Sequence, residues 1–471
     1  MTVSPCRTNF FVKHKDLHQF LLTTQENCLK NHCRQIVSIS LEIDLVDPLV
    51  VLDKLSQANE INFYFENKGK GEAIAAIDAV AKLHVDGVNR FAQTEDFIKN
   101  CLKNIINFGN TNLSFSGPHF FCYFSFFDQN SQRDYPFPSA NIFLPRWQVA
   151  VKNQRCVLVM NTIINANANI PRILQTLWSK IENIQSLEYY SPNIESLPTK
   201  LSKKPVTNAT QFKNSVLSAL KKIESRCLNK VVLADALDVK SSNNFNLFKS
   251  LNNLRQIHPN CYIFSTSNGK GQNFIGASPE RLISIHQQQL ITDALAGSAP
   301  RGKTPAEDAT NANSLLNSEK ERHEHSLVID FITQRLYQLG LLPQILPPRL
   351  RQLSNIQHLW TPISAIVPAN VHPLKIVAQL HPTPAVAGAA REIACREIRR
   401  YENFERGLYA APLGWVDSQG NCEFIVGIRS ALIDGDRARL YAGAGIVAGS
   451  DPEKEFAEVQ LKLQALLKAL V

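Results

Sequence analysis

The chain carries ten cysteines but no CxxC pair, so the tight ligand spacing of zinc ribbons and redox dithiols is missing. Cys28 and Cys33 are the nearest neighbours in sequence, and the pattern reads as reduced thiols of a cytoplasmic protein. No apolar run approaches the roughly twenty residues of a membrane-spanning helix. Phe120 to Phe127 is aromatic but short, and reads as a buried strand. The opening segment to residue 30 is polar and lacks the apolar stretch of a secretory signal. Internal repeats and low-complexity tracts are absent as well. Basic runs such as Lys13-His14-Lys15 and Lys203-Lys204 are too short for nucleic-acid patches. These absences argue against a disulfide scaffold, a membrane protein and a nucleic-acid binder.

What is present is globular. Of 471 residues, 44% are hydrophobic and 19% charged. The net charge of +9 is spread along the chain, which suits long-range steering of a small anionic substrate. Short β-type runs dominate the first part, at Ile36–Ile43, Ile61–Phe65, His119–Phe127 and Cys156–Met160. Ala73–Ala81 is alanine-rich and predicts a short helix, and a polar stretch from Ser186 to Ala209 predicts a linker. Phe212, Val216, Leu220 and Ile223 then form a helical stripe. Lys230–Val239 reads as a strand, and Asn273–Ala277 and Leu282–Ile285 as strands around a Ser-Pro-Glu turn. A long helix is predicted from Ser318 to Leu339, strands at Gly414–Val416, Phe424–Ile428 and Arg439–Ala442, and a closing helix from Asp451 to Ala469.

The densest chemistry lies in Ser318-Glu-Lys-Glu-Arg-His-Glu-His. Ser318 and Glu321 fit a capping box. Glu321 and Glu324, three apart, share one helix face that could hold a hard cation such as Mg²⁺. A capped, solvated helix start fits the same residues equally well. His323 and His325 are two apart and point apart on a helix, unlike the i, i+4 spacing of a zinc helix. On the closing helix Glu455, Glu458 and Lys462 form a polar stripe beside the apolar stripe Phe456, Val459, Leu463, Leu466 and Leu470. Those carboxylates sit at the rim of a buried face, where ligands and surface ion pairs are both at home.

Gly443-Ala-Gly445-Ile-Val-Ala-Gly449 places glycines just ahead of that helix, where backbone N–H groups can approach an anion. A dinucleotide fingerprint would open a βαβ unit with an acidic residue about 20 positions on, and here the sequence closes at Val471. Lys230 reads either as a snorkelling strand-end lysine or as a general base. Glu280 reads either as a turn carboxylate paired with Arg281 or as a general acid of raised pKa. The segment Ala294-Leu-Ala-Gly297-Ser298 offers close backbone approach and a hydroxyl.

Taken in order, these segments resemble the chorismate-binding enzyme family, which includes isochorismate, anthranilate, aminodeoxychorismate and salicylate synthases. The matching pieces are Lys230-Val-Val-Leu-Ala, Gly276-Ala-Ser-Pro-Glu-Arg-Leu, Ala294-Leu-Ala-Gly-Ser, the Ser318 segment, His358-Leu, His381-Pro-Thr-Pro-Ala, Gly427-Ile-Arg429, Tyr441-Ala-Gly-Ala-Gly-Ile-Val, and Glu455-Phe-Ala-Glu458 with Lys462. They run from Phe212 to the C-terminus; Phe63-Tyr-Phe-Glu66 and Pro118-His-Phe-Phe-Cys-Tyr-Phe match more loosely. The resemblance implies an α/β fold of the α+β type. It would be one large domain over residues 1–471, two packed antiparallel β-sheets surrounded by helices, with 1–205 the looser half and 206–471 the catalytic portion. This replaces the three domains that length alone predicts.

The resemblance also implies roles. Lys230 is similar to the base that activates water for attack at C2 of chorismate, and Glu280 to the acid that protonates the departing 4-hydroxyl. Glu324 and Glu458 resemble direct Mg²⁺ ligands, with Glu321 and Glu455 acting through water. Arg429, Lys462 and the Gly443–Gly445 backbone resemble carboxylate binders, and Gly297, Ser298 and His358 substrate contacts. Lys230 with Ala296 favours water over ammonia as nucleophile, so isochorismate synthesis is expected, with salicylate synthesis as the neighbouring alternative. A non-catalytic chorismate-binding protein and, from another class, a nucleotide-binding oxidoreductase using the Gly443 loop are the remaining readings. Menaquinone or phylloquinone routes, a cytoplasmic monomer or homodimer, and no amidotransferase, nucleic-acid or membrane partner are expected. One position departs from the family: Asp235 stands where arginine is usual, and is expected to disturb an ion pair near Lys230.

Overall fold

The computed structural model describes residues 7–129, 135–187, 200–353 and 356–470, with side chains from residue 14 onward. Aromatic and β-branched runs become strands because their side chains pack well on a pleated, buried surface. The strand Ala140–Lys152 organises them. Along one edge it pairs with Glu72–Val85; its other edge is shared by His119–Phe124 and Arg155–Ile164. Two long arms leave this junction. One runs through Glu72–Val85, Ile61–Asn67, Tyr262–Asn268, Gln272–Ser278, Ser430–Asp434 and Arg437–Ile446 to Val231–Ser241 and Leu201–Pro205. The other runs through His119–Phe124, Pro412–Asp417, Cys422–Val426, Arg281–His286 and Gln289–Pro300 to Ile356–Ile366.

Among the described residues, the two expected sheets are therefore arms of one hydrogen-bonded network of twenty strands, in which every pairing is antiparallel except Gln35–Ile43 with Ile105–Gly109. The arms meet face to face: the Phe63 and Phe121 rings lie 5.2 Å apart, and Tyr262 donates to Glu423 across the arms at 2.5 Å. The aromatic run at Phe120–Phe124 is buried, as its sequence requires.

Two local expectations are corrected, and the opening segment gains a structure. Ala73–Ala81 is not helical but part of the strand Glu72–Val85, with a partner on each edge. Helix propensity is a weak prior, and two ladders of hydrogen bonds outweigh it. The polar opening segment forms the helix Arg7–Lys30, seated through the narrow stripe Leu17, Leu21 and Cys28. Of the expected linker, residues 188–199 lie outside the described residues, and Leu201–Pro205 is a strand paired with Val231–Ser241. Among the described residues, no helix is long and apolar enough to cross a membrane.

Two helices matter for the site. Glu319–Gln338 packs on the strand Gln289–Pro300, and Pro452–Ala469 packs on Arg437–Ile446. Each has a built start. Ser318 Oγ accepts from the Glu321 N–H at 3.3 Å. Asp451 accepts from the N–H groups of Glu453 and Lys454 at 2.9 and 3.0 Å, with Pro452 pre-set for the first turn. Val459, Leu463 and Leu466 bury the second helix's apolar stripe, which aims Glu455 and Glu458 along its edge.

Candidate active site

Both helices and four strands line a single pocket, open on one side. All of its lining residues come from Val232 onward, and the first arm's N-terminal strands only support it.

One wall is the Ser278-Pro-Glu280 turn. Ser278 Oγ accepts from the Glu280 N–H at 3.2 Å and donates to the Val426 carbonyl at 2.6 Å, which pins the turn between two strands. The Glu280 side chain is buried, and among the described residues no cation lies within 4.0 Å of it. Burial raises its pKa to about 8; Asp293 pushes the same way, against Lys230, Arg351 and Lys462. The pairing with Arg281 that the sequence left open does not form, because Arg281 binds Asp293 at 2.9 Å. At neutral pH Glu280 holds a proton and can donate it.

Opposite in chemistry is Lys230. It is wholly buried, and its Nζ lies 2.8 Å from Glu324 Oε1, an ion pair without hydrogen-bond alignment. Lys230 does not line the pocket: it sits behind Glu324 and Gly445. A Cβ at Gly445 would stand 2.5 Å from Glu324 Oε1 and 3.2 Å from Lys230 Cε. A side chain there would displace the Glu324 carboxylate from its present place beside Lys230. Gly443 and Gly445 lie inside the strand Arg437–Ile446, opposite Ala234 and Val232, not at a strand-to-helix junction as expected. Both stand mid-strand in an antiparallel pair, not in the strand-to-helix turn of a parallel unit where a dinucleotide fingerprint sits.

The four glutamates converge. Glu321 and Glu324 from one helix, and Glu455 and Glu458 from the other, all line the pocket. Burial raises the pKa of Glu321 and Glu455; repulsion from Glu324 on the first and from Glu458 on both adds to it. Lysines hold the set apart. Lys230 faces Glu324, Lys320 reaches Glu455 at 3.0 Å and Glu321 at 3.5 Å, and Lys462 reaches Glu458 at 2.7 Å. In this arrangement no three acidic, His or Cys side chains among the described residues are poised around one point. The donor set still fits a hard divalent cation: crowded carboxylates from two helices, two of them raised in proton affinity by burial and by their acidic neighbours.

Arg429, His358, Ser298 and Gly297 form the remaining side. Arg429 takes the left-handed backbone conformation, φ 50°, which is strained for a non-glycine residue. Its Nη2 lies 3.3 Å from His358 Nε2. A guanidinium only donates, so Nε2 accepts and the imidazole proton is assigned to Nδ1. Nδ1 lies 3.0 Å from Ser298 Oγ and 3.3 Å from the Gly297 carbonyl. Burial, then Arg429, holds His358 well below the usual histidine range, in keeping with a neutral ring. Ser298 Oγ accepts from the ring, which leaves its own hydrogen for the pocket. Gly297 has φ 80° at a register shift between Ala296 and Ser298. Through that kink the Ser298 N–H reaches Glu321 Oε2 at 3.0 Å, so the Glu321 carboxylate does not close the expected capping box. Lys462 also donates to the Gly443 carbonyl at 2.8 Å.

Asp235 does not disturb Lys230. Five residues along a strand places it on the other face, where it is buried and accepts the Ala236 N–H at 2.7 Å. The two histidines behave as their spacing predicts: His325 is buried against Thr361 Oγ1 at 2.8 Å, while His323 is exposed. Sequence reasoning missed Lys320, whose partner Glu455 is 135 positions away, and the buried Asp293 with Arg351 behind Glu280. No local pattern marks such long-range pairs.

A pocket that sets a buried carboxyl of raised pKa beside a carboxylate quartet, with a buried lysine behind its wall, suits acid–base chemistry on a small anion. The chain belongs to the chorismate-binding enzyme family: that family, described as "Chorismate binding enzyme", matches residues 23–471. It is 30% identical over 447 residues to isochorismate synthase MenF of Bacillus subtilis, covering 92% of this chain and 93% of that one. It is 40% identical over 261 residues to the salicylate biosynthesis isochorismate synthase of Pseudomonas aeruginosa, a match over 55% of this chain that spans only 54% of that relative. Among solved structures it is similar to MenF, the menaquinone-specific isochorismate synthase of Escherichia coli, with a TM-score of 0.76, 26% identity, and 96% and 100% of the two chains covered.

Proposed function

We propose that the chain is an isochorismate synthase, an isomerase that adds water at C2 of chorismate and releases the 4-hydroxyl group. The observation that carries this reading is Glu280, buried and raised to about 8, set in one site with buried Lys230. Near-full-length likeness to isochorismate synthases supports it. Water oxygen bonds to C2 as its proton passes to the Lys230 amine. The ring double bonds shift, the C4–O bond breaks, and the Glu280 proton leaves with the hydroxyl as water. Proton return from Lys230 to Glu280 through solvent resets the site, so atoms and charge balance.

Arg429, Lys462 and the Gly443–Gly445 backbone hold the substrate carboxylates, arginine through its bidentate fork. Ser298 donates its hydroxyl hydrogen to a substrate oxygen. Mg²⁺, held by Glu324 and Glu458 with Glu321 and Glu455 around it, would neutralise the C1 carboxylate as charge moves through the ring. A cation there would take over from Lys230 as the counter-charge of Glu324, and the water-activating step uses Lys230 as the neutral amine. The MenF relatives support a menaquinone route, and we place the enzyme in the cytoplasm as a monomer or homodimer. Water as nucleophile requires no amidotransferase.

Incubation of purified protein with chorismate and Mg²⁺, followed by chromatography with mass detection, tests the reading. A new product of unchanged mass, lost on adding EDTA, is expected. Untouched chorismate would overturn it, and salicylate with equimolar pyruvate would make the protein a salicylate synthase.

A further inference from the structure

Three lysines serve four glutamates in the pocket, and they are not equivalent. Lys230 is wholly buried and paired with Glu324. Lys462 is tied on one side to Glu458 and on the other to the Gly443 carbonyl. Lys320 differs from both: 32% of its side chain is exposed, and its ammonium lies between Glu455 at 3.0 Å and Glu321 at 3.5 Å, carboxylates of two different helices. Burial opposes its charge, but Glu455 and then Glu321 outweigh that and hold it protonated.

Its position is poor for the helix itself. Lys320 is the second residue of Glu319–Gln338, where the helix dipole disfavours a cation. The neighbouring acidic residues fit that end; the lysine is there for what lies across the pocket. It stands between two carboxylates that would surround a divalent cation, and its flexible stem can swing out into solvent.

We propose that Lys320 is a displaceable internal counter-ion, which competes with a divalent cation for Glu455 and Glu321 and so weakens metal binding by the free protein. This rests on the reading that the glutamates bind Mg²⁺. Without metal, the ammonium keeps the crowded carboxylates apart from one another's charge. When metal seats, the ammonium is released at the pocket mouth, where an anionic substrate enters.

The sign of one measurement decides. Lys320→Met keeps the apolar stem and removes the charge. Titrating Mg²⁺ calorimetrically into the full-length free protein, the variant is expected to bind roughly two- to fivefold more tightly than wild type, since relief of a partly exposed ion pair is of that order. Lys320→Arg is expected to stay near wild type. A lysine that merely straps two helices would, on removal, loosen the site and weaken binding. Equal or weaker Mg²⁺ binding by Lys320→Met, with wild type binding, overturns the counter-ion role alone. No Mg²⁺ binding by either protein overturns the metal reading together with it. Tighter binding in the methionine variant supports both.

Discussion

Glu280 and Glu324 are two buried glutamates of one pocket in opposite surroundings. Glu280 ends a pinned, buried turn with no cation within 4.0 Å among the described residues, so it keeps its proton up to about 8. Glu324 meets the Lys230 ammonium at 2.8 Å. The same side chain thus becomes an acid on one wall and an anion on the other, and the difference lies in the environment alone. Each element of that contrast can be removed separately.

The largest effect is expected from taking away the acid. Glu280→Gln keeps the shape and should lower kcat roughly 10²- to 10⁴-fold, with far less change in chorismate affinity; steady-state and binding measurements separate the two. A variant that keeps more than a tenth of kcat would remove Glu280 from the chemistry. Next is Gly445→Ala. Its methyl would stand 2.5 Å from Glu324 Oε1, so the ion pair must shift, and kcat/KM should fall about 10²-fold. An unchanged kcat/KM would show that the Lys230–Glu324 geometry is irrelevant.

The pH dependence is the third test. The folded pKa of Glu280 lies above its ordinary value, so the proton needed for the leaving hydroxyl is present below about 8 and lost above it. Activity should therefore fall on the alkaline side through about 8. The same upward shift means that its contribution to folding stability is full below the ordinary carboxylate range and is lost as pH rises through about 8. A rate that stays flat from pH 7 to 10 would contradict a protonated Glu280.

The smallest effect belongs to Asp235. Burial raises its pKa, and its contacts are with Ala236 and Thr207, on the strand face away from Lys230. Asp235→Asn should leave turnover within about twofold and the melting temperature at pH 8 no lower than wild type, because an amide carries no charge to bury. A loss of tenfold in turnover would tie this departure from the family to the site after all.

How much of this could be read from the sequence follows from the range of each interaction. The i, i+3 spacing of Glu321 and Glu324, and of Glu455 and Glu458, is local, and the spacing by itself puts each pair on one helix face. The Ser-Pro-Glu turn and the strand after Lys230 are local as well. What stayed hidden depends on partners far along the chain. Ala73–Ala81 became a strand because residues 61–67 and 140–152 flank it. Lys320 gained meaning only beside Glu455. Asp235 looked near Lys230 in sequence, yet strand alternation turned it away. Family resemblance named the roles; the fold adds that Lys230 lies behind the pocket wall, against Glu324 and Gly445.

The central claim is that water, deprotonated toward Lys230, supplies the new hydroxyl while Glu280 releases the old one. Turnover of chorismate in ¹⁸O-labelled water tests it most directly. The account predicts isochorismate carrying one heavy oxygen, at the ring hydroxyl on C2. Isochorismate formed without label would mean that the original hydroxyl migrates, and would contradict it.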